Sequence, residues 1–372
     1  MSFDNHQLIA LSKKPLKLLS NRVRRSYTGG QLIDQWLGFD HPNDTNMPEE
    51  WVASIVEARN NDLVKDEGLS EVILGDGTTI KLIELIEKDN IAFLGAKHVA
   101  RYGLNMALLT KILDSSVKLS IQVHPSKLYA KTVLNSDYGK TEAWYIVGGR
   151  EINGEKPYVL IGFRPGVTKA DWAKYFHEQD VAAMVNSLHK IYVSPGDVFL
   201  VEGGVPHAIG SGCFLIEIQE PTDYTMRVER KMNDGNELPD FLCHQGVGFD
   251  QMLECFNYQT LTREETIDRW KLQPVASTDE DGNQVINAIS NEHTACFAMD
   301  VVKVKTKLTM SSDRFRVAIV ISGNGSLFAD EQKTVLKQGE MYFLPVNVTT
   351  VSLTSRDANV PLEIAFCYPP LN

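Results

Sequence analysis

Residues 194–210 read SPGDVFLVEGGVPHAIG. The pair Gly196-Asp197 makes a turn. It feeds Val198 to Val201, an apolar run of strand length. A second cluster of turn residues, Glu202 to Pro206, leads to His207. Far downstream, residues 337–345 read KQGEMYFLP, and Gly339-Glu340 again enters an apolar run. At the offsets of Gly204 and His207, this second copy carries Asn347 and Thr350. The two turns point to two related β units, of which the first keeps a histidine that the second lacks.

The chain of 372 residues is long enough for two or three domains. Its hydrophobic fraction of 43% and charged fraction of 23% are those of an ordinary globular protein. A formal net charge of −11 argues against general nucleic-acid binding, which needs clustered cations. No apolar run has the length of a bilayer span, and residues 1–25 lack the apolar core of a secretory signal. No membrane or nucleic-acid partner is therefore expected. The basic cluster from Lys13 to Arg25 reads as a solvated terminal segment. Cys213, Cys243, Cys255, Cys296 and Cys367 are odd in number and widely spaced, as expected for free thiols in the cytoplasm.

Short alternating segments make the second half largely β. Helical spacing is clearer earlier. Thr79 to Lys88 places Ile80, Leu82, Leu85 and Ile86 near one face, and Thr168 to Lys190 predicts one or two helices capped by Thr168. The latter lies between β-like segments, as an insertion packed on a sheet would. The polar stretch Ser277 to Asn283 marks the boundary between domains 1–276 and 277–372.

The stretch SIQVHP at 120–125 carries the chemistry. Read as a strand, Val117 to His124 alternates faces: Leu119, Ile121 and Val123 on one side, Lys118, Ser120, Gln122 and His124 on the other. Glu142 opens the apolar run Ala143 to Val147 and offers a carboxylate. His207 offers a second imidazole. Two imidazoles, one carboxylate and one amide oxygen suit Zn²⁺ with a position left for water or substrate. The same donors fit Mn²⁺, Fe²⁺, Co²⁺ or Ni²⁺. His6, His41, His98, His177, His189, His244 and His293 have no such context and read as surface or packing residues. On the strand from Phe214 to Gln219, Glu217 shares a face with Leu215 and Gln219; it is a candidate general base or a partner of the metal ligands.

Several segments together resemble the type I mannose-6-phosphate isomerases, zinc enzymes of the cupin superfamily. They are YTGG at 27–30, PEEWVAS at 48–54, LLTKILD at 108–114, SIQVHP at 120–125, GKTEAWYIV at 139–147, the opening stretch at 194–210, and FLIEIQEPTDYTMRV at 214–228. The chain departs from the family where Pro48 precedes Glu49, where Thr28 precedes the two glycines, and where Met226 precedes Arg227. The resemblance implies a mainly β fold with a minor helical part. It implies two cupin-like jelly-roll barrels, the first holding the metal site and helical insertions, the second without ligands. By motif, His124, Glu142 and His207 would bind the metal with Gln122 as fourth ligand. Arg227 would be the active-site arginine, Lys140 the lysine beside the metal-binding glutamate, and Lys111 a lysine of the substrate pocket, joined by Glu217. Lys111 and Lys127 are the candidates for holding a phosphate.

The implied activity is interconversion of mannose 6-phosphate and fructose 6-phosphate through an enediolate. The metal would polarise substrate oxygens while Arg227 holds developing charge. Three other readings stand beside it: an isomerase of a different phosphorylated sugar, a sugar-phosphate-binding cupin without catalysis, and a metal-dependent oxygenase.

Overall fold

The computed structural model describes residues 3–60, 64–232, 235–330 and 332–371. The chain is mainly β, and its strands form four large antiparallel sheets that stack as two pairs. Among the described residues no sheet closes into a barrel.

In the first pair, Cys213–Gln219 lies near the centre of a seven-stranded sheet, between Glu142–Gly149 and Leu109–Asp114. Glu49–Val52 pairs with the outer side of Leu109–Asp114, and Val198–Val201 with the outer side of Glu142–Gly149. The facing sheet runs Leu188–Tyr192, Tyr158–Phe163, His207–Ile209, Gln122–Val123 and Met226–Arg227. Leu113, Trp144, Ile146 and Leu215 of the first sheet meet Val159, Ile161 and Ile209 of the second in one apolar layer.

The alternation of each strand does the rest. Ile112, Ala143, Tyr145, Ile216 and Ile218 point the other way and pack on Met299, Val317, Ile319 and Phe343. Those residues belong to the larger sheet of the second pair, whose other face packs Val302, Val320 and Ile364 against Leu327, Leu336 and Leu353 of a four-stranded sheet. The strand Cys213–Gln219 is buried on both faces and reads accordingly as a nearly unbroken apolar run.

Sheet membership changes between Leu272 and Val275, and the polar stretch Ser277 to Asn283 forms the end of a strand and the turn of the following hairpin. One N-terminal strand, Leu16–Lys17, pairs with Met341–Leu344 and so ties the start of the chain to the second sheet pair. The Lys13 to Arg25 region is consequently not a solvated tail. Leu16, Leu18 and Val23 are buried, and Arg22 and Arg25 are ion-paired.

Three helix and strand expectations shift. Thr79–Lys81 is a strand, and the helix begins at Leu82, because residues 79–81 pair with Glu71–Ile73. Thr168 does cap a helix, with a reciprocal bond to Asp171; a second helix follows at Val181–Asn186, and both pack Trp172, Phe176 and Met184 on the outer face of the five-stranded sheet. His189 and Lys190, however, belong to the strand Leu188–Tyr192. The expected strand from Val117 to His124 shrinks to Gln122–Val123. Leu119 packs between the sheets while Ile121 and Val123 pack beneath the helices, so this segment follows no simple alternation.

Glu50 carries a stability consequence. It is fully buried on the face of its strand opposite Glu49, and it accepts hydrogen bonds from Ser20 Oγ at 2.7 Å and from the backbone N–H of Asn21. Burial pushes its carboxyl up to about 7. The folded protein therefore holds a proton that the unfolded chain loses above pH ~4.5. Stability from this group is complete below that pH and is lost as pH rises through about 7. Glu50→Gln is expected to gain on the order of 3 kcal/mol relative to wild type between pH ~5 and pH ~8, read from urea unfolding at both values. An identical difference at the two pH values would show that Glu50 does not titrate there.

Candidate metal and substrate site

Three loops cross at Pro125. Gly139 lies so close to it that a Cβ would sit 2.6 Å from the Pro125 carbonyl oxygen, and Gly203 is as tight, at 2.7 Å from the same atom. The backbone N–H of Lys140 donates to Pro125 O at 2.9 Å, and that of Gly204 donates to His124 O at 2.8 Å. Glycine is required where backbones approach this closely. The crossing draws SIQVHP, GKTE and EGGVPH to one place. His207 then pairs directly with Gln122 across the sheet.

The ligand atoms of His124, Glu142 and His207 lie within 4.8 Å of one another, and all three residues are fully buried. His124 Nδ1 is 3.0 Å from the Tyr224 carbonyl, and His207 Nδ1 is 2.8 Å from the Val205 carbonyl. A nitrogen facing a carbonyl must carry the proton, so each Nε2 presents a lone pair. Both lone pairs face Glu142: His124 Nε2 is 3.0 Å from Oε2, and His207 Nε2 is 3.5 Å from Oε1. Trp144 Nε1 donates to Oε1 at 3.0 Å, which fixes the carboxylate. Gln122 brings its amide nitrogen to 3.2 Å from His207 Nε2, and a half-turn of that amide presents the oxygen instead.

Charge agrees with geometry. Burial, reinforced by Lys140, pushes the His124 imidazole down to about 3, and burial lowers His207 as well. Burial also works against ionising Glu142, but Lys140 and then His124 outweigh it and hold the carboxyl well below the usual range. Two neutral imidazoles and a carboxylate therefore converge, electron pairs inward. Glu142 Oε2 is buried without a hydrogen bond of good geometry. Such a set needs a cation, and these donor types fit a divalent metal. Lys140 Nζ supplies part of that charge, 2.9 Å from both His124 Nε2 and Glu142 Oε2.

A cavity adjoins this cluster, lined by Lys140, Gln122, Glu217, Lys111, Asp223 and Arg227 among others. Lys111 and Glu217 of this lining belong to a rung across the seven-stranded sheet, where Trp51, Lys111, Glu217 and Trp144 lie in register. Lys111 Nζ stands 3.3 Å from Glu217 and 3.8 Å from both Glu49 and Asp223, with the Trp51 ring beside it. Burial and then the charge of Glu142 raise Glu217. Arg227 donates to the Leu242 carbonyl at 2.9 Å. Lys127 lines no part of this cavity; it is mostly exposed and pairs with Glu220 at 3.5 Å.

Sequence reading missed the role of a second buried network. Arg25 grips Asp223 with two bonds of 3.1 Å and pairs with Glu49 at 2.9 Å. Tyr27 OH and Trp51 Nε1 each donate to Glu49 at 2.7 Å. Burial resists ionisation of Glu49, yet Arg25 and Lys111 hold it down at about 2. The available signal was the spacing of Glu49 and Trp51, two apart on one strand and so on one face. Arg25 gave none, because a buried arginine and a solvated one look alike in a basic run.

The model of the type I phosphomannose isomerase catalytic domain matches residues 18–143, and that of the mannose-6-phosphate isomerase cupin domain matches residues 290–359. The mannose-6-phosphate isomerase of Streptococcus mutans is 30% identical over 226 residues, 59% of this chain and 63% of that protein. The match thus spans less than two thirds of that relative's length. A putative mannose-6-phosphate isomerase of Bacillus subtilis is 27% identical over 328 residues, 86% of this chain and 90% of that protein. The fold is also that of the crystal structure of the mannose 6-phosphate isomerase from Bacillus subtilis, with a TM-score of 0.73 at 22% identity over 95% of this chain and 99% of that one. It is similar as well to a zinc-bound mannose 6-phosphate isomerase, with a TM-score of 0.72 at 16% identity over 96% and 100% of the two chains. With both domain models matched in order along one polypeptide, the chain belongs to the type I mannose-6-phosphate isomerases.

Proposed function

We propose that this protein is a zinc-dependent aldose–ketose isomerase that interconverts mannose 6-phosphate and fructose 6-phosphate. The convergence of Gln122, His124, Glu142 and His207 beside a cationic cavity carries the reading. The same reading takes the two sheet pairs as cupin-like units, residues 1–276 and 277–372, with the metal in the first. It takes the cytoplasm as the site of action, in keeping with five free, buried cysteines and no helix long and apolar enough to cross a membrane among the described residues.

Isomerisation moves a proton between adjacent carbons and passes through an enediolate. A bound divalent ion, held by Gln122, His124, Glu142 and His207, supplies Lewis-acid polarisation of substrate oxygens. The chain's own groups do the remainder. Lys140 points an ammonium at the ligand cluster and holds a substrate oxygen next to it. Arg227, in register with Gln122 on the neighbouring strand and lining the same cavity, offsets developing negative charge. Glu217 faces the cavity with a carboxyl raised towards neutrality, as suits a group that gives and takes a proton. Lys111, held among three carboxylates, keeps Glu217 in place and offers a donor to a sugar hydroxyl.

Two experiments test this. Purified protein should carry about one divalent metal per chain, and His124→Ala or His207→Ala should lose both metal and isomerase activity. A metal-free variant with full activity would defeat the reading. Arg227→Ala should retain metal but slow turnover roughly 10²-fold or more. Solvent-deuterium exchange at C2 of mannose 6-phosphate separates turnover from binding alone: tight binding without exchange would make the protein a binder and no isomerase.

A further inference from the structure

A second, more open cavity lies outside the first. The two share Arg25, Ser26 and Arg227 in their linings, so they adjoin. Four arginines line the outer one: Arg24, Arg25, Arg59 and Arg227. Their charges are not equally spoken for. Arg25 is met by Glu49 and Asp223, and Arg24 by Glu67 at 3.4 Å. Among the described residues Arg227 hydrogen-bonds the carbonyls of Leu242 and Thr225. Arg59 reaches the Gln245 side-chain oxygen at 3.4 Å and lies over the Tyr224 ring at 4.4 Å. Among the described residues neither Arg59 nor Arg227 has a carboxylate within ion-pair distance, in a chain whose net charge is −11.

Arg59 is exposed at the mouth, yet it is anchored. Its backbone N–H donates to Asp223 Oδ2 at 3.0 Å, the carboxylate that also grips Arg25. The ring beneath its guanidinium belongs to Tyr224, whose carbonyl accepts the Nδ1–H of His124. One residue therefore sets both the outer cation and a metal ligand. Stacking on an aromatic face leaves the guanidinium's planar fork of donors free for an oxyanion.

We infer that Arg59 forms the subsite for the substrate's phosphate, in the outer cavity, with the sugar's carbonyl end directed inward to Arg227 and the metal-binding cluster. The inference rests on the isomerase reading for the sugar and on Arg59 for the anion. Lys111 is already neutralised by three carboxylates, and Lys127 lines neither cavity, so neither lysine is placed to do this. A separation of this kind selects sugars whose phosphate is remote from the carbonyl carbon and disfavours 1-phosphates.

The test is calorimetric titration of metal-loaded protein with inorganic phosphate, beside steady-state kinetics with mannose 6-phosphate. Arg59→Ala should weaken phosphate binding about 10-fold or more and raise KM by a similar factor, with a smaller loss in kcat and an unchanged metal content. Arg59→Lys should recover part of the affinity, because charge returns without the fork. Unchanged phosphate affinity and KM in Arg59→Ala would overturn the subsite. If wild type binds phosphate through Arg59 but isomerises no aldose 6-phosphate, the subsite is supported and the isomerase reading fails.

Discussion

The site depends on one backbone constraint: three segments distant in sequence must pass Pro125 within van der Waals contact. Gly139 and Gly203 leave room for this, and the bonds from Lys140 N–H and Gly204 N–H lock the crossing. None of these groups is chemically active. They nevertheless decide whether His124, Glu142 and His207 meet, since each ligand lies within a few residues of the crossing. A side chain at either glycine would push one loop outward and carry its ligand with it. Packing of strands sets the ligands' directions, but this junction sets their separation.

Electrostatics inside the cavity follow a division of labour. The metal-binding cluster carries two neutral imidazoles and one carboxylate, with a lysine at hand. Beside it Glu49, Asp223, Arg25 and Lys111 form a compensated network that costs desolvation and recovers it through close pairs and hydrogen bonds. Glu49 and Asp223 are both depressed by Arg25 and Lys111 despite full burial, so this network keeps its charges. Glu217 stands between the two, pulled towards neutrality by burial and then by Glu142, and towards charge by Lys111. A carboxyl balanced in that way is suited to proton transfer, whereas Glu49 and Asp223 are suited to holding cations in position. The same physics assigns different work to three acids around one cavity.

Much of the site was legible because it lies in short motifs. Strand alternation put Glu217 with Leu215 and Gln219, and the structure keeps that face. The N-cap at Thr168 was readable from sequence, and the structure adds the reciprocal bond with Asp171. Other features escaped for identifiable reasons. The extended reading of Val117 to His124 failed because the segment crosses from the layer between the sheets to the layer beneath the helices, a tertiary event with no local period. The start of the helix at Leu82 was misplaced because pairing with Glu71–Ile73 claimed Thr79 to Lys81 first. Arg25 and Arg59 were invisible because their partners, Asp223 and Tyr224, lie more than a hundred residues away in sequence.

The second sheet pair shows why, among the described residues, only one half of the molecule carries a metal-binding set. Gly339 turns with φ of +86° into Met341–Leu344, as Gly196 turns with φ of +89° into Val198–Val201. Thr350 opens the strand Thr350–Ser355, as His207 opens His207–Ile209. The backbone pattern is therefore shared, while the donors are not. Between its sheets the second half packs Leu327, Leu336, Leu353 and Phe366, and Arg316 there is fully buried, with a guanidinium nitrogen bonded to the Val348 carbonyl. A guanidinium repels a cation, and the leucines leave no electron pairs to attract one. With its interior filled in this way, the second half contributes through its other face, against which Ile216, Ile218 and Tyr145 pack. Those residues alternate with Leu215, Glu217, Gln219 and Trp144 on the same strands, so the apolar contact on one side of the sheet holds the reactive wall on the other.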